Sequence, residues 1–270
     1  PTGCLHLEAG IQSLHENVLM QSRRSGDLQH SLEGLRYLCS LTNMETHADL
    51  IAGLPLYKLE QIFEDIHVLA HFGAGEIQLE SLKVLPGTEM RKRAEEWGIR
   101  YSPYPPYEVL ETNEITAEEL QYARQLSRLL DGYYNTPIWQ KITCQLILSE
   151  SGFLKSFLNF LIASDVIDKP LSIEKRGLLL YDFCKQVYPE YTVHVSVAWI
   201  IAGLSLKKAP AEKVMTKHQN PPSVWNILQG KYKDSLKLCR LPHKTGNYWF
   251  GFEPETQIPV SYTHLTLPTT

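Results

Sequence analysis

The sequence has no CxxC or CxxxC pair, and its five cysteines, Cys4, Cys39, Cys144, Cys184 and Cys239, stand far apart. That spacing excludes a thiolate metal or cluster site built from one local loop. An odd cysteine count without an apolar signal sequence points to a reducing cytoplasm. No clean run of about 20 apolar residues is present, because the apolar stretches around Ile147 and Leu158 are broken by residues 149–152 and by Lys155. We therefore expect a cytoplasmic protein with no membrane partner. Neither sign of charge dominates: 26 Lys and Arg against 30 Asp and Glu leave a net charge of −4. That gives no electrostatic reason to expect nucleic acid as a partner. Internal repeats are absent too, which excludes repeat arrays.

What is there is the composition of a globular protein, 43% apolar and 21% charged over 270 residues, enough for one large or two ordinary domains. The chain begins at Pro1 already inside a strand pattern, so further sequence of the same protein is expected upstream. The last eleven residues, "VSYTHLTLPTT" at 260–270, resemble a translated sequencing adapter and are set outside the fold.

Three strands in the first hundred residues share one feature. In the first, Leu5, Leu7, Ala9 and Ile11 alternate with His6, Glu8, Gly10 and Gln12, and successive side chains of a strand point to opposite faces. In the second, "HADLIAGLP", His47, Asp49, Ile51 and Gly53 share a face. In the third, Glu76, Gln78 and Glu80 oppose Ile77 and Leu79. Helical patterns separate them: residues 16–21, residues 27–41, and residues 59–72 with Leu59, Ile62, Phe63, Ile66, Leu69 and Ala70 on one stripe. Strands separated by helices form a parallel sheet, whose strands ordinarily read as continuous apolar runs because both faces are covered. Here one face of each strand is polar, and burying it unpaired under helices costs about 1–3 kcal/mol per group. A curved or barrel-like sheet around a cavity resolves the conflict, since groups converging there find ligand or water.

A charged helix is expected over residues 89–97. The Tyr and Pro run "YSPYPPY" at 101–107 then reads as a linker or rigid arm, its aromatics packing under the next segment or stacking on a ligand. Beyond it the chain is mainly helical, with helices expected over residues 116–134, 137–148, 153–163, 172–187 and 193–204; Thr116 and Glu119 have capping-box spacing. An aromatic strand or turn, "NYWFGFEP", follows.

"GIQS" at 10–13, the Arg23–Arg24 pair, "DLIAGLP" at 49–55 and "LKVLPGT" at 82–88 resemble, in this order and spacing, the later strands of radical S-adenosylmethionine (SAM) enzymes, and among them the branch that also carries a cobalamin-binding domain. The segment from "YSPYPPYEVLET" onward is similar to a helical domain of unknown function that follows the barrel in some of those proteins. The resemblance implies an α/β fold: the C-terminal third of a partial (β/α) barrel over residues 1–100, followed by a mainly α-helical domain over residues 101–259. It implies that Gln12 contacts the SAM ribose, that Arg24 pairs with the methionine carboxylate, that Asp49 accepts from the ribose hydroxyls and that Ile51 packs on the adenine. It implies as cofactors SAM, a four-iron four-sulfur cluster and, in this branch, cobalamin, acting on a small-molecule or other unidentified substrate. The CxxxCxxC ligands of the cluster, the glycine-rich motif for the methionine amino group and the cobalamin domain are not in this sequence and are expected upstream of Pro1. The turn after "GLP" continues with Leu56 and Tyr57 where the family pattern has Gly and Glu.

Other readings stand beside these. Gln12 also reads as a hydrogen-bonded core amide, Arg24 as part of a solvated helix end, and Asp49 as one half of a structural pair. His67 and His71, four apart on a helix, have zinc-ligand spacing without the glutamate of HExxH. His6 and His47 read as substrate contacts or as satisfied core histidines, and Glu76, Gln78 and Glu80 as substrate-side or solvent-facing. Two further function classes follow: a metal-dependent barrel enzyme with His6, His47 and Asp49 as ligands, and a non-catalytic module in which the helical half makes the interactions.

Overall fold

A computed structural model describes residues 5–24, 26–41, 44–211, 237–243, 246–252 and 259–266. The fold is mixed α/β, and the chain divides into two compact units, Pro1–Lys169 and Pro170–Thr270.

In the first unit, strands β1 (Leu5–Gln12), β2 (Met44–Ala52) and β3 (Glu76–Ser81) form a parallel sheet in the order β1-β2-β3. The connections are helical: α1 (Glu16–Gln21) and α2 (Leu28–Cys39) join β1 to β2, and α3 (Leu59–Phe72) joins β2 to β3. Alternation along β2 is strict: Thr46, Ala48, Leu50 and Ala52 are buried, while the residues between them are half-buried or exposed. The buried side meets α2 and α3. Ile62, Ile66, Leu69 and Ala70 of α3 are at most 1% exposed, so the apolar stripe of that helix closes onto the apolar face of the sheet. Gly73, in the left-handed conformation at φ 78, ends α3.

The turn leaving β2 is tightly constrained. Gly53 has φ 89, and a Cβ there would stand 2.7 Å from Cγ1 of the buried Val109. Gly53→Ala is expected to destabilise the unit by about 2 kcal/mol, combining left-handed strain with overpacking; a urea midpoint unchanged by the substitution would refute the crowding. Three residues on, Leu56 adopts φ 65, the conformation glycine takes freely. The loop therefore keeps a glycine-like backbone with a leucine in it.

After β3 comes α4 (Glu89–Lys92), shorter than the helix expected over residues 89–97, then a two-stranded antiparallel hairpin, β4 (Arg100–Tyr101) and β5 (Val109–Glu111). The Tyr and Pro run is the turn of this hairpin and not a linker. Val84 donates to the Tyr107 carbonyl at 2.8 Å, Val109 donates to the Leu82 carbonyl at 2.9 Å, and the Arg91 guanidinium lies over the Tyr101 and Tyr107 rings. Prolines stop the strands from extending and leave the tyrosines to pack against a cation.

Helices α5 (Ala117–Leu129), α6 (Pro137–Ser149) and α7 (Phe153–Ala163) complete the first unit. The expected capping box forms: Thr116 accepts from the Glu119 amide while Glu119 accepts from the Thr116 amide. Between α5 and α6 a π-helical turn, Leu130–Tyr134, widens the helix end, and Asn135 follows it onto β3. The Asn135 side chain accepts from the Ile77 amide at 2.9 Å and donates to the Ile77 carbonyl at 3.0 Å, and Gln140 donates to the Gly75 carbonyl. One side-chain amide thus satisfies the outer edge of β3 as a neighbouring strand would.

The second unit contains α8 (Ile173–Val187), α9 (Thr192–Ile201) and an antiparallel sheet of β6 (Lys237–His243), β7 (Gly246–Phe252) and β8 (Pro259–Thr266). Leu180, Phe183, Cys184, Trp199 and Ile200 form its helical core. The stretch set aside as an adapter translation contributes most of β8, which pairs with β7. Among the described residues no helix is long and apolar enough to cross a membrane.

Candidate functional site

The polar face of the parallel sheet carries the unusual chemistry. Register aligns His6 with Glu45, Glu8 with His47, His47 with Glu76, Asp49 with Gln78, and Ile51 with Glu80. Alternation in each strand sends one set to the helices and leaves this set together. Asp49 is at its centre. Burial and a hydrogen bond shared with the Glu8 carboxyl raise its carboxyl to about 6, with the charges of Glu8 and Glu80 adding to the rise and His47 opposing it. Asp49 Oδ1 is buried and has no hydrogen-bond partner among the described residues. An orphaned buried acceptor is costly unless a donor from outside reaches it. A carboxyl raised by burial and neighbouring carboxylates is common where a protein prepares a binding or catalytic centre.

The four residues singled out by resemblance are placed differently from one another. Asp49 and Ile51 share the polar face, two positions apart on β2. Arg24 is exposed, and its guanidinium lies beside Gly10, 3.8 Å from where a Cβ there would stand, an ordinary contact distance. Gln12 departs from simple alternation. A register shift between Ala9 and Gln12 sets it opposite Leu50, whose side chain belongs to the buried face, and Gln12 itself has φ 68. The extra residue of a bulge reverses parity, so counting by twos does not align Gln12 with Asp49.

A second cluster, absent from the sequence reading, fixes the loops that leave this sheet. Asp65 on α3 is 2% exposed. Its Oδ2 accepts from Ser13 Oγ at 3.3 Å, the Leu14 amide at 2.9 Å and the Tyr57 hydroxyl at 2.5 Å. His15 Nε2 lies 3.1 Å from Oδ1, though without the alignment of a hydrogen bond. Burial pushes the Asp65 carboxyl up while these donors pull it down. Ser13, Leu14 and His15 follow β1, and Tyr57 follows β2, so one carboxylate ties together both turns at the C-terminal ends of those strands. That is the end at which parallel sheets bind ligands. The signal was legible in principle: Asp65 follows Ile62 by three and precedes Leu69 by four, a charge in an apolar stripe.

Other candidates resolve as structural. His67 Nδ1 sits 3.2 Å from the Ile147 carbonyl, and His71 is exposed with its ring against Phe72, so the pair is not brought together on a metal. A cleft of about 650 Å³ between α3 and the α6–α7 turn is lined by Phe63, His67, Ile147, Phe153 and Lys155 among others, none from the polar sheet face. Cys39, Cys144 and Cys184 are free; burial pushes the Cys184 thiol up to about 12, as for an inert core thiol. Cys4 and the Cys239 side chain lie outside the described residues.

No curated protein matches the chain. Among solved structures it is similar to the archaeal Methanocaldococcus infernus Elp3 with an N-terminus deletion, at 10% identity and a TM-score of 0.33, over 99% of this chain and 53% of that one. The chain thus spans about half the length of that protein. Residues 95–197, from the approach to the β4–β5 hairpin into α9, match the family described as a protein of unknown function, DUF4080.

Proposed function

We propose that this chain is the C-terminal portion of a radical SAM enzyme of the cobalamin-associated branch, with its three parallel strands the last of a partial barrel and its polar face turned to the barrel interior. The observation that carries the proposal is Asp49: a carboxylate on a polar sheet face with one buried oxygen that no donor among the described residues satisfies. A ribose diol supplies two hydroxyl donors of the right kind. Ile51, next on the same face, offers an apolar surface to a purine, and the Arg24 guanidinium beside Gly10 suits a carboxylate. These residues fit SAM. The cysteines do not fit an iron–sulfur cluster, since none stands within three residues of another, and the cluster and cobalamin rest on the resemblance alone.

Held by Asp49, Ile51 and Arg24, SAM would supply hydrogen-abstraction chemistry once the iron–sulfur cluster that the resemblance implies gave it one electron. What these residues do is bind and orient. Asp49 holds the sugar, Arg24 holds the amino-acid end, and the Asp65 tie keeps the turns after β1 and β2 at a fixed separation. Positioning of this kind is a large part of what a radical enzyme requires of its protein.

The test is a calorimetric titration of the chain with S-adenosylhomocysteine. Saturable binding is expected, weakened about tenfold or more by Asp49→Asn and by Arg24→Ala, because each leaves a polar ligand group unpaired. No 5′-deoxyadenosine should form from SAM with this chain alone. Absence of binding at millimolar ligand, or variants that bind like the wild type, would remove the proposal.

A further inference from the structure

We infer that His6, Glu45 and His47 form a site for one divalent transition-metal ion of the zinc class, at the N-terminal end of the polar sheet face. One ligand atom from each of the three lies within 4.8 Å of the others. The backbone explains why they converge. His6 and Glu45 are direct register partners on adjacent parallel strands, and His47 follows Glu45 by two on the same face of β2. His6 Nδ1 is 3.1 Å from Glu45 Oε2, and the two imidazole rings stand edge to face with centroids 5.5 Å apart.

The second observation concerns His47. Its Nδ1 lies 3.6 Å from Glu76 Oε2, while its Nε2 is buried and has no hydrogen-bond partner among the described residues. A carboxylate beside one ring nitrogen favours the tautomer with the proton on that side, which leaves the lone pair of the other nitrogen as a donor. Metal-binding histidines are arranged in this way, with an outer carboxylate fixing the ring. A structural account covers only half of this. An ion pair between His6 and Glu45, 55% and 53% exposed, is worth little and does nothing for His47 Nε2. A cation does, because it accepts that lone pair.

Two imidazoles and one carboxylate suit zinc, cobalt or nickel, and are a poor set for magnesium or calcium. Bonds of roughly 2.1 Å put tetrahedral ligands about 3.4 Å apart, so no pair of ligand atoms, all within 4.8 Å of one another, need close by more than about 1.4 Å. His6 and Glu45 are exposed at a sheet end and can contract by rotamer changes; water completes the shell. The site is two to six residues back along β2 from Asp49 and Ile51, on the order of 7–20 Å. It therefore goes beyond the proposed SAM site, and its failure would leave that site standing.

The test is Zn²⁺ binding to the chain by competition with a chromophoric chelator, with Co²⁺ absorption reporting coordination. The expected result is one ion per chain, with affinity falling about 100-fold in His47→Ala and about tenfold or more in His6→Ala and Glu45→Gln. Glu76→Gln should weaken binding about tenfold, the range seen for outer-shell partners. His71→Ala, a surface histidine elsewhere in the unit, should change nothing. Should His47→Ala fail to fold by circular dichroism, the two exposed substitutions decide the outcome. Absence of stoichiometric binding, or equal affinity in the wild type, His6→Ala and Glu45→Gln, overturns the site, as does an equal loss in His71→Ala.

Discussion

Asp65→Ala is expected to lower the stability of the first unit by about 4 kcal/mol, since losing one partner of a buried charged cluster commonly costs 3–5 kcal/mol. The substitution strips three donors of their acceptor: the Ser13 hydroxyl, the Leu14 amide and the Tyr57 hydroxyl. Tyr57 is fully buried, so water does not readily replace the lost bond, and each unpaired buried group costs about 1–3 kcal/mol. Asp65→Asn keeps an acceptor oxygen toward Tyr57 and Leu14 and places an amide donor toward His15, so it should cost less than half as much. Tyr57→Phe, removing one donor together with its need for a partner, should be the mildest of the three. Urea unfolding of the three variants gives the order, and equal losses for Asp65→Ala and Tyr57→Phe would show that the network is not centred on the carboxylate. Because Asp65 holds the turns after β1 and β2, even Asp65→Asn should weaken S-adenosylhomocysteine binding without touching the ligand.

Asn135→Ala is expected to cost about 3 kcal/mol, because it leaves both polar groups of Ile77 unpaired on the outer edge of β3. Asn135 is bonded to both at once, so two backbone groups lose their partner through one side chain. Amide hydrogen exchange localises the effect: the Ile77 amide should exchange much faster in the variant, while amides in the centre of β2 change only by the loss in global stability. Asn135→Asp separates the two bonds. It keeps the acceptor for the Ile77 amide and turns a second acceptor toward the Ile77 carbonyl, beside Asp131. It should therefore protect the amide yet still destabilise. An exposed β3 edge also invites pairing with another chain, so light scattering should show association of Asn135→Ala at concentrations where the wild type is monodisperse.

Much of the local structure was legible in the sequence. Alternation over residues 5–12, in "HADLIAGLP" at 47–55 and from Glu76 to Glu80 marked three strands with one polar face each; β2 begins three residues earlier and ends at Ala52, and burial along it alternates residue by residue from Thr46. The stripe from Leu59 to Ala70 and the Thr116 capping box fall in the helices they announced. Such features depend on periods of two and 3.6 residues and on neighbours three or four apart, so the chain states them locally. The Tyr and Pro run shows the limit. Its composition marked a break, but the antiparallel pairing of Arg100 with Glu111 and of Tyr101 with Val109 made it a hairpin turn.

What the sequence determined by itself is the three parallel strands, most of the helices and which face of those strands is polar. What only the tertiary structure decided is which polar residues meet. The bulge that sets Gln12 opposite Leu50, the register that joins His6 to Glu45 and places His47 beside Glu76, and the links from Asp65 to Ser13 and from Asn135 to Ile77 all span tens of residues. None of them leaves a periodic trace, because pairing register and long-range hydrogen bonds are fixed by packing of whole elements. A one-residue slip would exchange the two faces of a strand and disperse the residues on which both proposed sites depend.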